Sequence, residues 1–334
     1  MKRVLGALRR GKVMLLALMV ALMVALTLGA AAYAAVPFNP GVGPAGTCNR
    51  VLSPGGNVAN FVNGLSSGQR GCLRGGIYTT PNSIKVTRSG VTLAGYPGER
   101  AEVRASTHLG STSNVRFEGF KIDASYSPIT TDGGRANTQQ GINLGSSSGF
   151  VAQHMEVINR LSADRSGTCI FGGTSRNAKI LQSWVHQCGE LPRTNREHGF
   201  YVANSTGALI EHSWFSDIAD RCLSFHADVR DATARGVVCD SHHGGPAYLF
   251  GGSTSGVLLE NSVGYSDATY SVSAPNLTGT NNVVRNNCFD DPVDADAGIS
   301  YSNNVSTTPQ ISGFKVTGPG SCSEKLPLDS PFRD

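Results

Sequence analysis

Two stretches, Ala178-Lys-Ile-Leu-Gln-Ser-Trp-Val185 and Ala208-Leu-Ile-Glu-His-Ser-Trp-Phe215, decide how this chain folds. Each runs through apolar residues, breaks at a short polar turn and resumes with an apolar residue. The outline returns in Gly236-Val-Val-Cys-Asp-Ser-His-His243, Val257-Leu-Leu-Glu-Asn-Ser-Val263 and Val283-Val-Arg-Asn-Asn-Cys-Phe289. Aligned this way, Ser183, Ser213, Ser241 and Ser262 fall in register at intervals of 30, 28 and 21 residues. A second family interleaves with the first: Gly141-Ile-Asn-Leu144, Cys169-Ile-Phe-Gly172, Gly199-Phe-Tyr-Val202, Cys222-Leu-Ser-Phe225 and Ala247-Tyr-Leu-Phe250. One unit therefore holds at least two short strands.

That period selects an architecture. No helix-length apolar periodicity occurs between Ile84 and Phe314, which excludes helical solenoids. Propeller blades need about 40–45 residues, more than these units supply. The remaining solution is an all-β fold, a right-handed parallel β-helix whose coils stack at about 4.8 Å. Ser or Asn recurring at one turn is expected to form a hydrogen-bonded ladder up the stack. The open edge of a stack must be covered. Val58-Ala-Asn-Phe-Val-Asn-Gly-Leu65 is expected to form a short N-terminal capping helix, and the Pro- and Ser-rich stretch from Gly318 to Asp334 a closing tail. The expected organisation is a leader over 1–35, a cap segment over 36–67 and the β-helix with its tail over 68–334.

Composition supports export and excludes several functions. Of 334 residues 41 are Gly, and only 16% are charged, against roughly 25% in an average soluble protein. The net charge of +4 is concentrated at the start: Lys2, Arg3, Arg9, Arg10 and Lys12 precede any acid. Without those five, 23 basic residues face 24 acidic ones, so no global field favours nucleic acid. The basic start, the apolar run Val13–Gly29 and the small residues Ala30–Ala35 have the order of a cleaved signal peptide, with an uncleaved membrane anchor as the alternative because the run is long enough to nearly span a bilayer. The mature chain is then expected to be secreted or at the cell surface, with no membrane segment. Eight cysteines beyond the leader fit disulfides in an oxidising compartment. Nearest-neighbour closure gives Cys48–Cys72, Cys169–Cys188, Cys222–Cys239 and Cys288–Cys322; for the middle pairs, Cys188–Cys222 stays an alternative.

Four segments resemble a known family: Gly90-Val-Thr-Leu-Ala-Gly-Tyr-Pro-Gly98, His198-Gly-Phe-Tyr-Val202, Asp220-Arg-Cys-Leu-Ser224 and Asn281-Asn-Val-Val-Arg-Asn-Asn-Cys288. They resemble the pectate-lyase-like superfamily of right-handed parallel β-helix proteins, in its secreted bacterial branch, over about residues 68 to 330. The resemblance implies a long groove suited to an extended extracellular polysaccharide. The superfamily holds lyases, polygalacturonases, adhesins and tailspikes, so fold alone does not give the activity. The pectate lyase pattern of stacked aspartates followed by Arg-x-Pro-x-x-Arg is absent, as is the polygalacturonase set of carboxylates.

The best constellation in the sequence lies on two neighbouring strands. With Phe200, Val202, Leu223 and Phe225 pointing in, Tyr201 stacks beside Ser224 and Ala203 beside His226 on the outer face, while His198 and Arg221 align where the turn enters each strand, one coil apart. β-Elimination on a uronate polymer needs a neutralised carboxylate, a base and an acid for the leaving oxygen. Arg221 is the candidate for the carboxylate, His198 or His226 for the base, and Tyr201 for the acid. Glu197, Ser224 and Asp228 are expected to bind substrate nearby, and the 189–196 loop to form a wall. His242-His243 is a weaker candidate, since adjacent strand residues face opposite ways. The acidic loop Asp290, Asp291, Asp294 and Asp296 is a candidate Ca²⁺ site built from hard oxygen ligands. The leading expectation is a polysaccharide lyase, ahead of a glycoside hydrolase. The alternative is a carbohydrate-binding or structural surface protein without catalysis. Oligomeric state is not legible.

Overall fold

The computed structural model describes residues 38–127, 140–160, 167–294, 296–317 and 322–333. The expected leader, 1–35, lies outside these. The described chain is a right-handed parallel β-helix with three long sheets. Sheet A has eleven strands, from Arg50–Leu52 to Ile299–Ser302. Sheet B has ten, from Gly76–Thr79 to Val305–Ser306, and sheet C eight, from Ile84–Lys85 to Val272–Ser273. Through most of the stack the chain visits A, B and C in turn, so a full circuit adds one strand to every sheet, and pairing within these three sheets is parallel.

Alternation explains why these residues stack. Leu93, Phe117, Ala152, Ile180, Ile210, Ala234, Leu259 and Val284 occupy one inward column of sheet A. All eight are buried. Inward columns from the other two sheets complete a single core. A helix, α1 (Val58–Asn63), covers its first coil with Val58, Phe61 and Val62, and Asn57 caps it by accepting from the Asn60 amide at 2.8 Å. The strand Arg50–Leu52 already pairs with sheet A, so the stack begins inside the segment expected to be cap alone.

From the strand Arg116–Glu118 onward, the bend from sheet A to sheet B takes two residues. The first is left-handed (Gly119, His154, Gln182, His212, Gly236, Asn261, Asn286 and Asn303). The second turns inward and carries the ladder. Met155 N–H donates to Ser183 Oγ at 3.2 Å, Ser183 N–H to Ser213 Oγ at 3.2 Å, Val237 N–H to Ser262 Oγ at 3.1 Å and Ser262 N–H to Asn287 Oδ1 at 2.9 Å. Ser241 is not a member, which corrects the alignment made from sequence. Trp214 pairs with Val238, so Val237 holds the rung above Ser213. Ser241 instead sits past the end of its strand, where its hydroxyl bonds Ile218 N and O.

Four disulfides tie the stack: Cys48–Cys72, Cys169–Cys188, Cys222–Cys239 and Cys288–Cys322. The last anchors a second helix, α2 (Cys322–Lys325), against the outer face of sheet B. There Trp214, Val238, Val263 and Cys288 form an outward apolar column, covered by Val316, Leu326 and Phe332. Phe38 wedges between Phe314 and Phe332, with ring centroids at 4.8 and 4.7 Å. The described tail therefore lies along the side of the solenoid. Residues 38–44 form a strap that threads close to the end of a sheet A strand: a Cβ on Gly119 (φ 58°) would lie 2.2 Å from the Val42 carbonyl oxygen. Among the described residues no helix is long and apolar enough to cross a membrane.

Candidate active-site groove

The outer face of sheet C stays uncovered around its middle. Its strands His198–Tyr201 and Arg221–Phe225 pair with His198 opposite Arg221 and Tyr201 opposite Ser224. Phe200, Val202, Leu223 and Phe225 are buried in the core. Parity then sends Tyr201 and Ser224 to the other face. Two cavities open there along the stacking direction. One, about 280 Å³, is lined by Gln140, Thr168, Phe171, Asn195, Arg196, His198 and Tyr201. The other, about 370 Å³, is lined by Asn195, His198, Tyr201, Arg221, Ser224, His226, Leu249, Pro275 and Asn276. They share Asn195, His198 and Tyr201 and so form one groove with those residues at its waist.

Electrostatics differ sharply around the waist. The His198 side chain is only 5% exposed. Burial, then the positive charges of Arg221 and His226, push its pKa down to about 3. Its Nδ1 lies 3.4 Å from Asp220 Oδ2. Arg221 Nη1 is 2.8 Å from the same oxygen, and Arg193 Nη1 donates to Asp220 Oδ1 at 3.2 Å. Burial nonetheless raises the Asp220 pKa against the pull of both arginines. Arg221 also donates to Asn195 Oδ1. Beyond the waist, Tyr201 Oη stands 3.1 Å from His226 Nδ1. Burial raises the Tyr201 pKa, and burial followed by the Arg221 charge lowers that of His226. The groove thus holds a neutral imidazole, a phenol paired with a second imidazole, and a half-buried guanidinium.

The 189–196 loop walls one side. Glu197 secures it: its carboxylate, fully buried, accepts from Thr194 N–H at 2.8 Å, Thr194 Oγ1–H at 2.6 Å and Arg196 N–H at 3.0 Å. Glu197 therefore faces the loop, not the groove, contrary to the expected substrate contact. Asp228 is also displaced from the role expected of it. It is exposed, outside both cavities, accepting from Ser253 Oγ at 2.9 Å with Arg230 Nη2 at 2.5 Å. The Ser253 hydrogen bond, then Arg230, holds its carboxyl below the usual range. Ser224 lines the second cavity while remaining 2% exposed.

The acidic loop does not fit a cation. Asp290 accepts from Ser266 N–H at 3.1 Å and Ser271 Oγ–H at 2.7 Å, and Asp291 from Ala268 N–H at 3.0 Å. Asp294 accepts from Ala274 N–H at 3.2 Å and Asp296 from Gly298 N–H at 2.8 Å. The four carboxylates are pinned to separate backbone amides, and among the described residues no three His, Cys, Asp or Glu side chains gather as metal ligands. His242 and His243 also part company. His243 Nε2 meets Asp217 Oδ1 at 2.9 Å, while His242 lies between Asp240 and Asp267.

Sequence reasoning missed Phe171, Asn195 and Arg193. Phe171 was within reach, because Cys169-Ile-Phe aligns on Gly199-Phe-Tyr and puts Phe171 beside Tyr201, with ring centroids 5.6 Å apart.

The fold is a parallel β-helix of the pectate-lyase-like kind. Pectate lyase Pel9A superimposes with a TM-score of 0.53 at 12% identity, over 80% of this chain and 82% of that one. The Streptococcus pneumoniae surface protein and adhesin PfbA gives 0.49 at 11% identity over 77% and 89%. Alginate lyase from Paenibacillus sp. str. FPU-7 gives 0.48 at 14% over 76% and 99%. At these identities the likeness is one of fold. No protein-family model matches the chain, and no curated protein matches it.

Proposed function

We propose that this groove binds an extracellular acidic polysaccharide and cleaves it by β-elimination. The observation that carries the reading is the groove: His198 and Tyr201 stand at its waist, Arg221 and His226 line the cavity on one side of it, and space for polymer extends both ways. Access from both sides favours cleavage within a chain. The four disulfides support work in an oxidising compartment.

The residues divide the chemistry as follows. Arg221 pairs with the uronate carboxylate and stabilises the charge that develops as the neighbouring carbon loses its proton. His198, kept neutral by burial, accepts that proton. The substrate carboxylate offsets the Arg221 charge, one of the causes that depress His198, so binding itself raises the basicity of the imidazole. The electron pair of the broken C–H bond forms the new C=C bond, and the glycosidic C–O bond breaks. Tyr201 gives its proton to the leaving oxygen, and His226, at 3.1 Å, relays a replacement from solvent, taking up a proton at Nε2 as it gives Nδ1–H to the phenolate; His198 returns to solvent the proton it took.

The test is to incubate residues 36–334 with pectate, alginate and glycosaminoglycan polymers. Ultraviolet absorbance of unsaturated ends is followed beside a reducing-end assay. Rising absorbance, abolished by Arg221→Ala, is the expected result. Reducing ends without absorbance would replace elimination with hydrolysis. Binding without either signal would leave a non-catalytic carbohydrate-binding protein.

A further inference from the structure

We infer that Asp220 is the positioning residue of this groove: it holds the buried His198 ring with its proton on Nδ1, leaving the Nε2 lone pair for the substrate. The inference rests on the reading of His198 as the base, yet it concerns a property of the unliganded protein.

Geometry fixes the carboxylate first. Asp220 follows the strand Trp214–Ile218 and immediately precedes Arg221–Phe225, with 1% of its side chain exposed. Its backbone is held from both neighbouring coils. Below, its N–H donates to the Glu197 carbonyl at 3.0 Å. Above, the chain crosses so closely that a Cβ on Gly245 would lie 1.8 Å from the Asp220 carbonyl oxygen. Asp220 lines neither cavity, so its part is to orient other groups and not to touch substrate.

Three groups face that carboxylate: Arg193 on Oδ1, and Arg221 and His198 on Oδ2. His198 Nδ1 is buried and has no well-formed hydrogen bond. The Asp220 oxygen at 3.4 Å is the polar atom it meets. An anion there attracts N–H and repels a lone pair, so the tautomer with hydrogen on Nδ1 is selected. Nε2 is then the basic nitrogen, on the ring that lines both cavities. The same oxygen restrains the Arg221 guanidinium, so one carboxylate orients both the base and the group that receives the uronate. A buried carboxylate behind an imidazole performs this task in serine hydrolases, where it also supports the imidazolium once formed. Here Asp220 is in place to do so after His198 accepts the proton.

The experiment reads the tautomer directly. Histidine-selective ¹⁵N labelling of the full mature chain, with His198 assigned by loss of its signals in His198→Gln, gives the state of each ring nitrogen at neutral pH. The expected wild-type result is a protonated Nδ1 and a bare Nε2. In Asp220→Asn the amide can turn either its oxygen or its NH₂ to the ring, so the preference is expected to weaken or reverse. Turnover of the responsive polymer is then expected to fall at least tenfold, with a smaller change in KM. A wild-type ring protonated on Nε2 would overturn the inference, without any variant being folded. So would an Asp220→Asn ring with an unchanged tautomer. A tautomer that follows Asp220 in a protein that cuts no polymer would uphold this assignment and remove the catalytic reading alone.

Discussion

Lowering the pH should destabilise this protein, and His198 is one source whose share can be isolated. The folded state holds His198 at a pKa of about 3, while an unfolded chain returns it to about 6.5. The folded value is the lower one, so its stabilising effect is complete above pH 6.5. It is lost as pH falls from there toward 3. At pH 4.5 the unfolded imidazole is protonated about a hundredfold over neutral, and the folded one stays neutral. At about 1.4 kcal/mol per tenfold, that costs roughly 2–3 kcal/mol relative to pH 7. With a urea slope near 3 kcal/mol/M for a chain this long, the midpoint should fall by roughly 1 M from this source. His198→Gln removes the titration with little change in size, so its midpoint should fall that much less than wild type between pH 7 and 4.5. Trp184 and Trp214 fluorescence reports the sheet B side and far-ultraviolet circular dichroism the coils. Coincident transitions would license the two-state comparison. Equal midpoint shifts in the two proteins would refute the assignment of a neutral, buried His198.

Three further outcomes follow from the same geometry. Tyr201→Phe keeps the ring against Phe171 but removes the phenol; kcat on a responsive polymer should drop about 10²-fold or more with KM little changed, measured by initial rates of absorbance. Asn287→Ala strips a fully buried rung that accepts from Ser262 N–H and donates to Leu259 O and Asn304 Oδ1; urea titration should show a loss of about 2–4 kcal/mol. Gly119→Ala forces a Cβ against the Val42 carbonyl, and hydrogen exchange should show faster opening of the 38–44 strap while sheet C amides keep their protection.

The fold was legible because a solenoid repeats its instructions. Phe200 and Leu223 are recognisable as core from alternation alone, and their burial sends Tyr201 and Ser224 out. Register across an irregular coil was not legible. Ser241 resembles Ser213 in its neighbours, but Val237 fills that rung, and only the pairing of Trp214 with Val238 shows it. The carboxylates were misjudged for a related reason. Sequence shows that Glu197, Asp228 and Asp290 exist near a site; it does not show which amide or hydroxyl claims them first. Glu197 goes to the Thr194 turn, Asp228 to Ser253 and Asp290 to the coil below. The tail was expected to close the stack, yet no periodic signal links Phe38 to Phe314 and Phe332 across nearly the whole chain.

The parallel register has a consequence for how this surface can change. Along the groove one outward column runs through Asn143, Phe171, Tyr201, Ser224 and Leu249. Their separation is set by backbone hydrogen bonding at about 4.8 Å. The surface is therefore a ruler whose graduations no side-chain substitution can move. Evolution can repaint each mark, or raise and lower the fence built from the 189–196 loop, and the spacing of whatever lies along it stays the same.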